Sequence, residues 1–252
     1  MIKYGDEFGT AFTLDLDGRQ YLITAKHITA GMKDADTIQV RKGDDWVPLR
    51  VNLLRCADPI DIAVLVPPEQ ISVNFPLEPD MAGIQYGQEV YIIGYPYGLF
   101  TEGKNVNGAF PLAFIKRAQM SATTKEGDAV VIFLDGHNNP GFSGGPVVFR
   151  DFGQSGYVMK VLGVVSGFPA EYTPVFEKKE IKPNEITSDD LQKGKIIAEK
   201  GKIFRLYDTS YVVPVNTGIV KAFSIHHAVD LIKAHPNGPA VSATFEDWPI
   251  KK

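Results

Sequence analysis

Residues 140–149 read Pro140-Gly141-Phe142-Ser143-Gly144-Gly145-Pro146-Val147-Val148-Phe149. A serine hydroxyl is a poor nucleophile until a base takes its proton. An acyl transition state also needs N–H donors aimed at the developing oxyanion. Glycines around a serine let the backbone turn sharply and come close to a substrate carbonyl. The chain has nine serines, and only Ser143 sits in a Gly-x-Ser-Gly-Gly run. In this reading Gly141 turns its N–H inward and the Ser143 N–H is the second donor. The plain alternative is a Gly-rich hairpin, so other stretches have to be weighed with it.

Upstream, Tyr21-Leu22-Ile23-Thr24-Ala25-Lys26-His27 is an apolar strand that ends in small residues and delivers a histidine. Imidazole titrates nearest working pH and suits general acid–base work. The other histidines, His137, His226, His227 and His235, form no HExxH or comparable metal spacing. A third stretch, Asp58-Pro59-Ile60-Asp61-Ile62-Ala63-Val64-Leu65, places Asp61 at the mouth of an apolar strand. A carboxylate there is costly to bury alone. It becomes explicable as the partner that fixes a histidine's tautomer and stabilises the imidazolium. Asp58, before Pro59, reads as a turn residue.

Around these stretches the chain reads as β. Runs 21–25, 37–40, 46–54, 61–66, 89–93, 113–120, 129–134, 146–149, 157–165 and 211–215 are rich in β-branched or aromatic residues, with Gly, Pro and Asp clusters between them. Many short strands of this kind imply a sandwich or barrels, not a parallel α/β sheet. Tyr95-Pro96-Tyr97-Gly98 reads as the crossing between two β units. Residues 170–205 are charged and read as a surface insertion with one helix, capped by Ser188 and running through Leu191, Ile196 and Ile197. A C-terminal amphipathic helix is expected over 224–235, from Ser224 to the stop at Pro236 and Gly238.

The 252 residues are 44% hydrophobic and 22% charged, with a net charge of −4, which is ordinary globular composition. That charge gives no footprint for nucleic acid and no basic patch for an anionic membrane surface. No apolar run approaches the ~18 residues of a spanning helix. Cys56 is the single cysteine, so no intramolecular disulfide is expected, and it reads as a small core residue. The start Met1-Ile2-Lys3-Tyr4-Gly5-Asp6-Glu7 has no signal-peptide pattern, so the expected location is the cytoplasm. No metal and no organic cofactor is implied, and the oligomeric state is left open.

The order His, Asp, Ser is that of the chymotrypsin arrangement. Thr24-Ala25-Lys26-His27, Asp61-Ile62-Ala63-Val64-Leu65 and Gly141-Phe142-Ser143-Gly144-Gly145-Pro146 resemble the catalytic signatures of trypsin-like serine peptidases, in the bacterial, disulfide-free branch related to the HtrA/Deg protease domain. Gly9-Thr10-Ala11-Phe12 resembles the Gly-x-Gly-Phe opening strand of that branch, with Ala at the second Gly. The resemblance implies one all-β domain over 1–252 built as two six-stranded antiparallel barrels. The N-terminal barrel would take 1–95, the C-terminal barrel 96–223 and the helix 224–235. It implies a serine endopeptidase acting on peptide or protein substrates, with His27 as general base, Asp61 as its orienting partner, Ser143 as nucleophile, and Gly141 and Ser143 as the oxyanion hole.

By the same resemblance, Val164-Val165-Ser166-Gly167 would pair with the substrate backbone. Ser166 and Gly167 would bind substrate through that strand, and Phe168 would stand at the entrance of the first specificity pocket, with His137 at its base. Phe168 stands where a Gly is usual, which implies a small apolar side chain before the scissile bond. Phe142 stands where secreted relatives carry an activation Asp, so no zymogen step of that type is expected. No PDZ domain is expected after the C-terminal helix. Two alternatives stay open: a peptidase-like fold that grips a peptide without cutting it, and a protease whose oxyanion hole is unformed until a partner acts, through a peptide flip near Asn139-Pro140-Gly141.

Overall fold

The computed structural model describes residues 1–102, 109–153 and 156–242. The chain divides into two compact units, one of Met1–Phe168 with the chain from Gly218, the other of Pro169–Thr217. The first unit opens with β1 (Ile2–Tyr4), β2 (Glu7–Gly9), β3 (Ala11–Leu16), β4 (Arg19–Thr24), β5 (Asp36–Lys42), β6 (Asp45–Arg55) and β7 (Ala63–Val66). They form one antiparallel sheet in the order β2-β1-β5-β6-β7-β4-β3. Its two edges, β2 and β3, are consecutive lengths of chain separated by Thr10 alone. One bent segment therefore serves both edges, and the seven strands amount to a six-strand wall that curls on itself.

The chain continues through β8 (Glu89–Gly94), β9 (Phe114–Glu126), β10 (Ala129–Asp135), β11 (Pro146–Gly153) and β12 (Gly156–Gly167). The second unit follows as β13 (Ala170–Ile181), the one-turn helix α1 (Ser188–Gln192), β14 (Ile196–Glu199) and β15 (Lys202–Asn216). The chain then returns as β16 (Ile219–Ser224), closing a barrel in the order β10-β16-β12-β11-β8-β9, and ends its described course after α2 (His226–Ala234). The fold is the double-barrel arrangement of trypsin-like peptidases.

The uninterrupted apolar strands have a simple cause: both of their faces are buried. On β4, Leu22 points into the N-terminal core with Ile38, Val51 and Leu65, while Tyr21 and Ile23 face a second core shared with Val131, Val164 and Phe223 of the other barrel. On β7, Ala63 and Leu65 join the first core, and Val64 and Val66 the second. β10 and β16 repeat the split: Ile132, Leu134, Val220 and Ala222 fill the closed barrel, and Val131 and Phe223 face the seam. Side chains alternate across a strand, so one strand supplies two cores. Fully burying one such Val, Leu or Phe is worth roughly 1.5–3 kcal/mol. The seam between the barrels is thus a packed third core, capped by Ile225, Ala228 and Ile232 from α2.

Four expectations are corrected. The crossing between barrels precedes β8, because Glu89–Gly94 belongs to the closed barrel. Tyr95–Gly98 therefore lies within the C-terminal barrel's chain, and the division at residue 95 comes too late. The insertion expected over 170–205 is longer and mostly strand. The second unit, Pro169–Thr217, is a sheet in the order β13-β15-β14. Its helix is capped by Thr187, whose Oγ1 accepts the Asp190 N–H at 3.1 Å, not by Ser188, and Ile196 and Ile197 fall in β14. Ser224 is the last residue of β16, and α2 spans His226–Ala234, with the Ser224 hydroxyl accepting the His226 N–H at 3.2 Å.

The histidines of α2 are structural. His227 Nε2 accepts the Val130 N–H at 2.9 Å, and burial pushes its imidazole down toward the neutral form. His226 pairs with Asp80 at 3.2 Å. Among the described residues no helix is long and apolar enough to cross a membrane, and no group of three or more His, Cys, Asp or Glu is placed to hold a metal.

Candidate active site

Three turns, each at the end of a buried strand, carry the candidate residues. β4 delivers its chain into a single 3₁₀ turn, Lys26–Thr29, that holds His27. Asp61 sits two residues before β7, outside the strand that the apolar run 61–66 implies. Ser143 lies in the turn that leads into β11. The adjacent pairing of β4 with β7 brings the first two together. His27 Nδ1 lies 2.7 Å from Asp61 Oδ2, and the His27 main-chain N–H donates to Asp61 Oδ1 at 2.9 Å.

Ser166 completes the grip on the carboxylate: its hydroxyl donates to Asp61 Oδ2 at 2.6 Å. Burial raises the Asp61 carboxyl, but the His27 ring, its charge, the Ser166 hydroxyl and the His27 N–H together hold it below its ordinary value. The imidazole opposite is 44% exposed, so the pair has one half-buried and one accessible partner. Ser166 occupies an irregularity of β12 between Val165 and Gly167, where the pairing with β16 shifts register. Such bulges re-aim a side chain or carbonyl, and here Ser166 uses both. Its carbonyl accepts the Ser143 hydroxyl at 3.0 Å. In this structure the Ser143 hydroxyl is thus held by Ser166, with no hydrogen bond to the imidazole among the described residues.

The nucleophile turn is fixed from every side. Gly144 N–H donates to Val165 C=O at 2.7 Å, Val165 N–H to Gly145 C=O at 2.8 Å, and Gly145 N–H to Phe142 C=O at 2.8 Å. Thr10 N–H donates to Ser143 C=O at 2.8 Å. Pro140 C=O accepts the Tyr97 N–H at 2.7 Å. Because C=O and the following N–H point oppositely across a trans peptide, this turns Gly141 N–H away from Tyr97. Neither the Gly141 N–H nor the Ser143 N–H has an acceptor among the described residues.

The glycines answer to close approach. Gly141 has φ +100°, and a Cβ there would stand 2.1 Å from Tyr95 O. Gly144 has φ +82°, and its Cβ would stand 2.2 Å from Thr10 O and 2.4 Å from Thr24 Oγ1. Gly144→Ala is expected to destabilise the protein by about 2–6 kcal/mol, since left-handed strain and overpacking each cost about 1–3 kcal/mol. The check is urea unfolding, and an unchanged midpoint would contradict it.

Phe142 is fully buried in the closed barrel's core, with the Lys116 ammonium 5.6 Å from its ring. Lys116 also donates to Asn139 Oδ1 at 3.0 Å and to the His137 carbonyl, and burial pushes its ammonium down. Nothing in the sequence singled out this lysine, because its partners lie over twenty residues away. His137 itself is exposed after β10, and among the described residues no hydrogen bond ties its imidazole to the site. Gly167 ends β12, paired with Lys221, and Phe168 follows it half-buried.

Residues 9–154 match the sequence model of the trypsin-like peptidase domain. No curated protein matches the chain. Among solved structures, the inactive form of the Rv3671c protease of M. tuberculosis is 18% identical with a TM-score of 0.51, over 92% of this chain and 86% of that one. The HtrA-type protease AlgW with a tripeptide is 20% identical with a TM-score of 0.49, over 90% of this chain. The chain spans 55% of that protein's length. At these identities the likeness is one of fold.

Proposed function

The chain belongs to the family of trypsin-like peptidase domains, and on that premise we propose that it is a serine endopeptidase working through an acyl-enzyme on Ser143. The observation that carries this reading is the junction at Asp61. One carboxylate accepts from the His27 ring at 2.7 Å and from Ser166 at 2.6 Å, and Ser166 in turn holds the Ser143 hydroxyl at 3.0 Å.

The Nδ1–H bond to Asp61 leaves Nε2 as the basic nitrogen of His27. Ser143 Oγ turns from the Ser166 carbonyl to Nε2, gives it the proton and attacks the scissile carbonyl carbon. The carbonyl electron pair moves to oxygen, which the free Gly141 and Ser143 N–H groups receive. His27 passes the proton to the leaving amine as the C–N bond breaks. Water, deprotonated by the same nitrogen, then releases the acid and restores Ser143. The Ser166 carbonyl has two uses in this scheme. It holds the serine hydroxyl at rest, and it accepts a substrate main-chain N–H when an extended peptide lies along Val164–Gly167. Substrate would then displace the hydroxyl toward the base.

That the Gly141 and Ser143 N–H groups have no acceptor among the described residues favours a working oxyanion hole over one waiting for a partner, and the shared grip on Asp61 favours cleavage over mere binding of a peptide. A preference for a small apolar residue before the scissile bond rests on the family resemblance, which puts the bulky Phe168 where a Gly is usual. With Phe142 in the core and no acid in its place, the scheme includes no activation by a new N-terminus. Cys56 is the single cysteine, so the fold works without an intramolecular disulfide, and we place the enzyme in the cytoplasm.

Cleavage of a denatured-protein peptide library, read by mass spectrometry, tests this reading. Internal cuts after Ala, Val or similar small residues, absent with Ser143→Ala, are the expected result. Cuts led by Arg, Lys or large aromatics would overturn the specificity, and an uncut library the proposal itself.

A further inference from the structure

Thr10 links two strands of the N-terminal sheet, β2 and β3, yet it is bonded to the nucleophile turn of the other barrel at two points. Its N–H donates to Ser143 C=O at 2.8 Å, and its Oγ1 donates to Gly141 C=O at 2.7 Å. The same hydroxyl accepts the Tyr95 N–H at 3.1 Å, and Thr10 C=O accepts the Thr24 hydroxyl at 2.8 Å. Thr24 is the last residue of β4, three before His27. Thr10 is 2% exposed, so water does not compete for these groups.

Resting on the reading of Ser143 as nucleophile, we infer that Thr10 is a positioning residue for the reaction: its hydroxyl sets the Gly141–Phe142 peptide, and with it the geometry in which the Gly141 and Ser143 N–H groups meet the oxyanion. The two carbonyls it holds flank the catalytic serine. Gly141 C=O sits between the two donors in sequence, so a rotation of that peptide moves Gly141 relative to Ser143. The chain of bonds Thr24–Thr10–Gly141 also ties the strand that delivers the base to the turn that delivers the nucleophile. The bend between β2 and β3 places Thr10 at this junction, and the close approach of Gly144 to Thr10 O leaves little room for either to shift.

The test uses the full chain and a fluorophosphonate, following the rate of Ser143 modification in wild type, Thr10→Ala and Thr10→Ser by intact mass. Thr10→Ala removes the hydroxyl and adds no bulk, and Thr10→Ser restores it. A misplaced oxyanion donor lowers the limiting rate but not the affinity of the encounter. The expected result is a maximal labelling rate lower by about 10- to 100-fold in Thr10→Ala, a half-saturating reagent concentration unchanged, and recovery in Thr10→Ser to within about threefold of wild type. Melting curves set a temperature at which every variant is folded. Wild-type labelling with an equal rate in Thr10→Ala would overturn this inference and leave the nucleophile reading standing. A parallel rise in the half-saturating concentration, or no recovery in Thr10→Ser, would assign Thr10 a structural role and overturn it too. A wild-type chain that does not label would overturn the nucleophile reading, and this inference with it.

Discussion

Ser143→Ala is expected to lower kcat on the order of 10⁶-fold, with KM unchanged. In the proposed mechanism the hydroxyl oxygen forms the acyl bond. Its hydrogen bond among the described residues goes to the Ser166 carbonyl, which can accept solvent or substrate once the hydroxyl is gone. The turn around it is held by main-chain bonds from Thr10, Gly144, Gly145 and Val165, none of which uses the Ser143 side chain. The fold and the grip on peptide should therefore survive. The check is steady-state kinetics on a peptide from the library beside a thermal melt. A loss smaller than about 10³-fold would show that cleavage runs through another group.

Asp61→Asn is expected to lower kcat by about 10⁴-fold without unfolding the protein. Asp61 accepts three hydrogen bonds, from the His27 ring, the His27 N–H and the Ser166 hydroxyl. Asparagine keeps the shape but offers one accepting oxygen and one donating nitrogen. If the amide nitrogen faces Nδ1, the imidazole carries its proton on Nε2 and cannot take one from Ser143. The wild-type pair also has a pH signature. Because the folded-state carboxyl of Asp61 is lowered, its contribution to stability is present above the ordinary value of about 3.9 and is lost as pH falls through the lower folded value. The variant should lose that part of the acid dependence. Kinetics and acid titration of the melt check both halves, and an Asp61→Asn enzyme at near wild-type kcat would contradict the assignment.

The site was legible because each of its motifs is local. A strand ending in Thr24-Ala25-Lys26-His27, an aspartate before Ala63-Val64-Leu65 and glycines around Ser143 each show their chemistry within a few residues, and the buried strands behind them show in their apolar runs. What escaped reading depends on distant partners. Thr10 looked like part of an opening strand, and its bonds to Gly141 and Ser143 span more than 130 residues. Ser166 was read for substrate, and its bond to Asp61 arises from a shift of register in β12.

The second unit was misread for a different reason. Glu177, Lys178, Lys179 and Glu180 are poor strand formers, yet β13 pairs with β15 along nearly its whole length. Lys178–Glu199, Lys179–Glu177 and Lys202–Glu180 ion pairs lace that sheet, so its charge stands where apolar alternation usually marks a strand. The helix opened by Thr187 stops at Gln192, and Gly194 at φ +61° turns the chain away before Ile196 and Ile197, which therefore fall in β14.

Intact-mass labelling with a fluorophosphonate tests the activation of Ser143 most directly. The wild-type chain should gain one adduct per molecule at Ser143, and Ser143→Ala and His27→Ala should gain none. A wild-type chain left unmodified, or a His27→Ala chain labelled as fast as wild type, would contradict it.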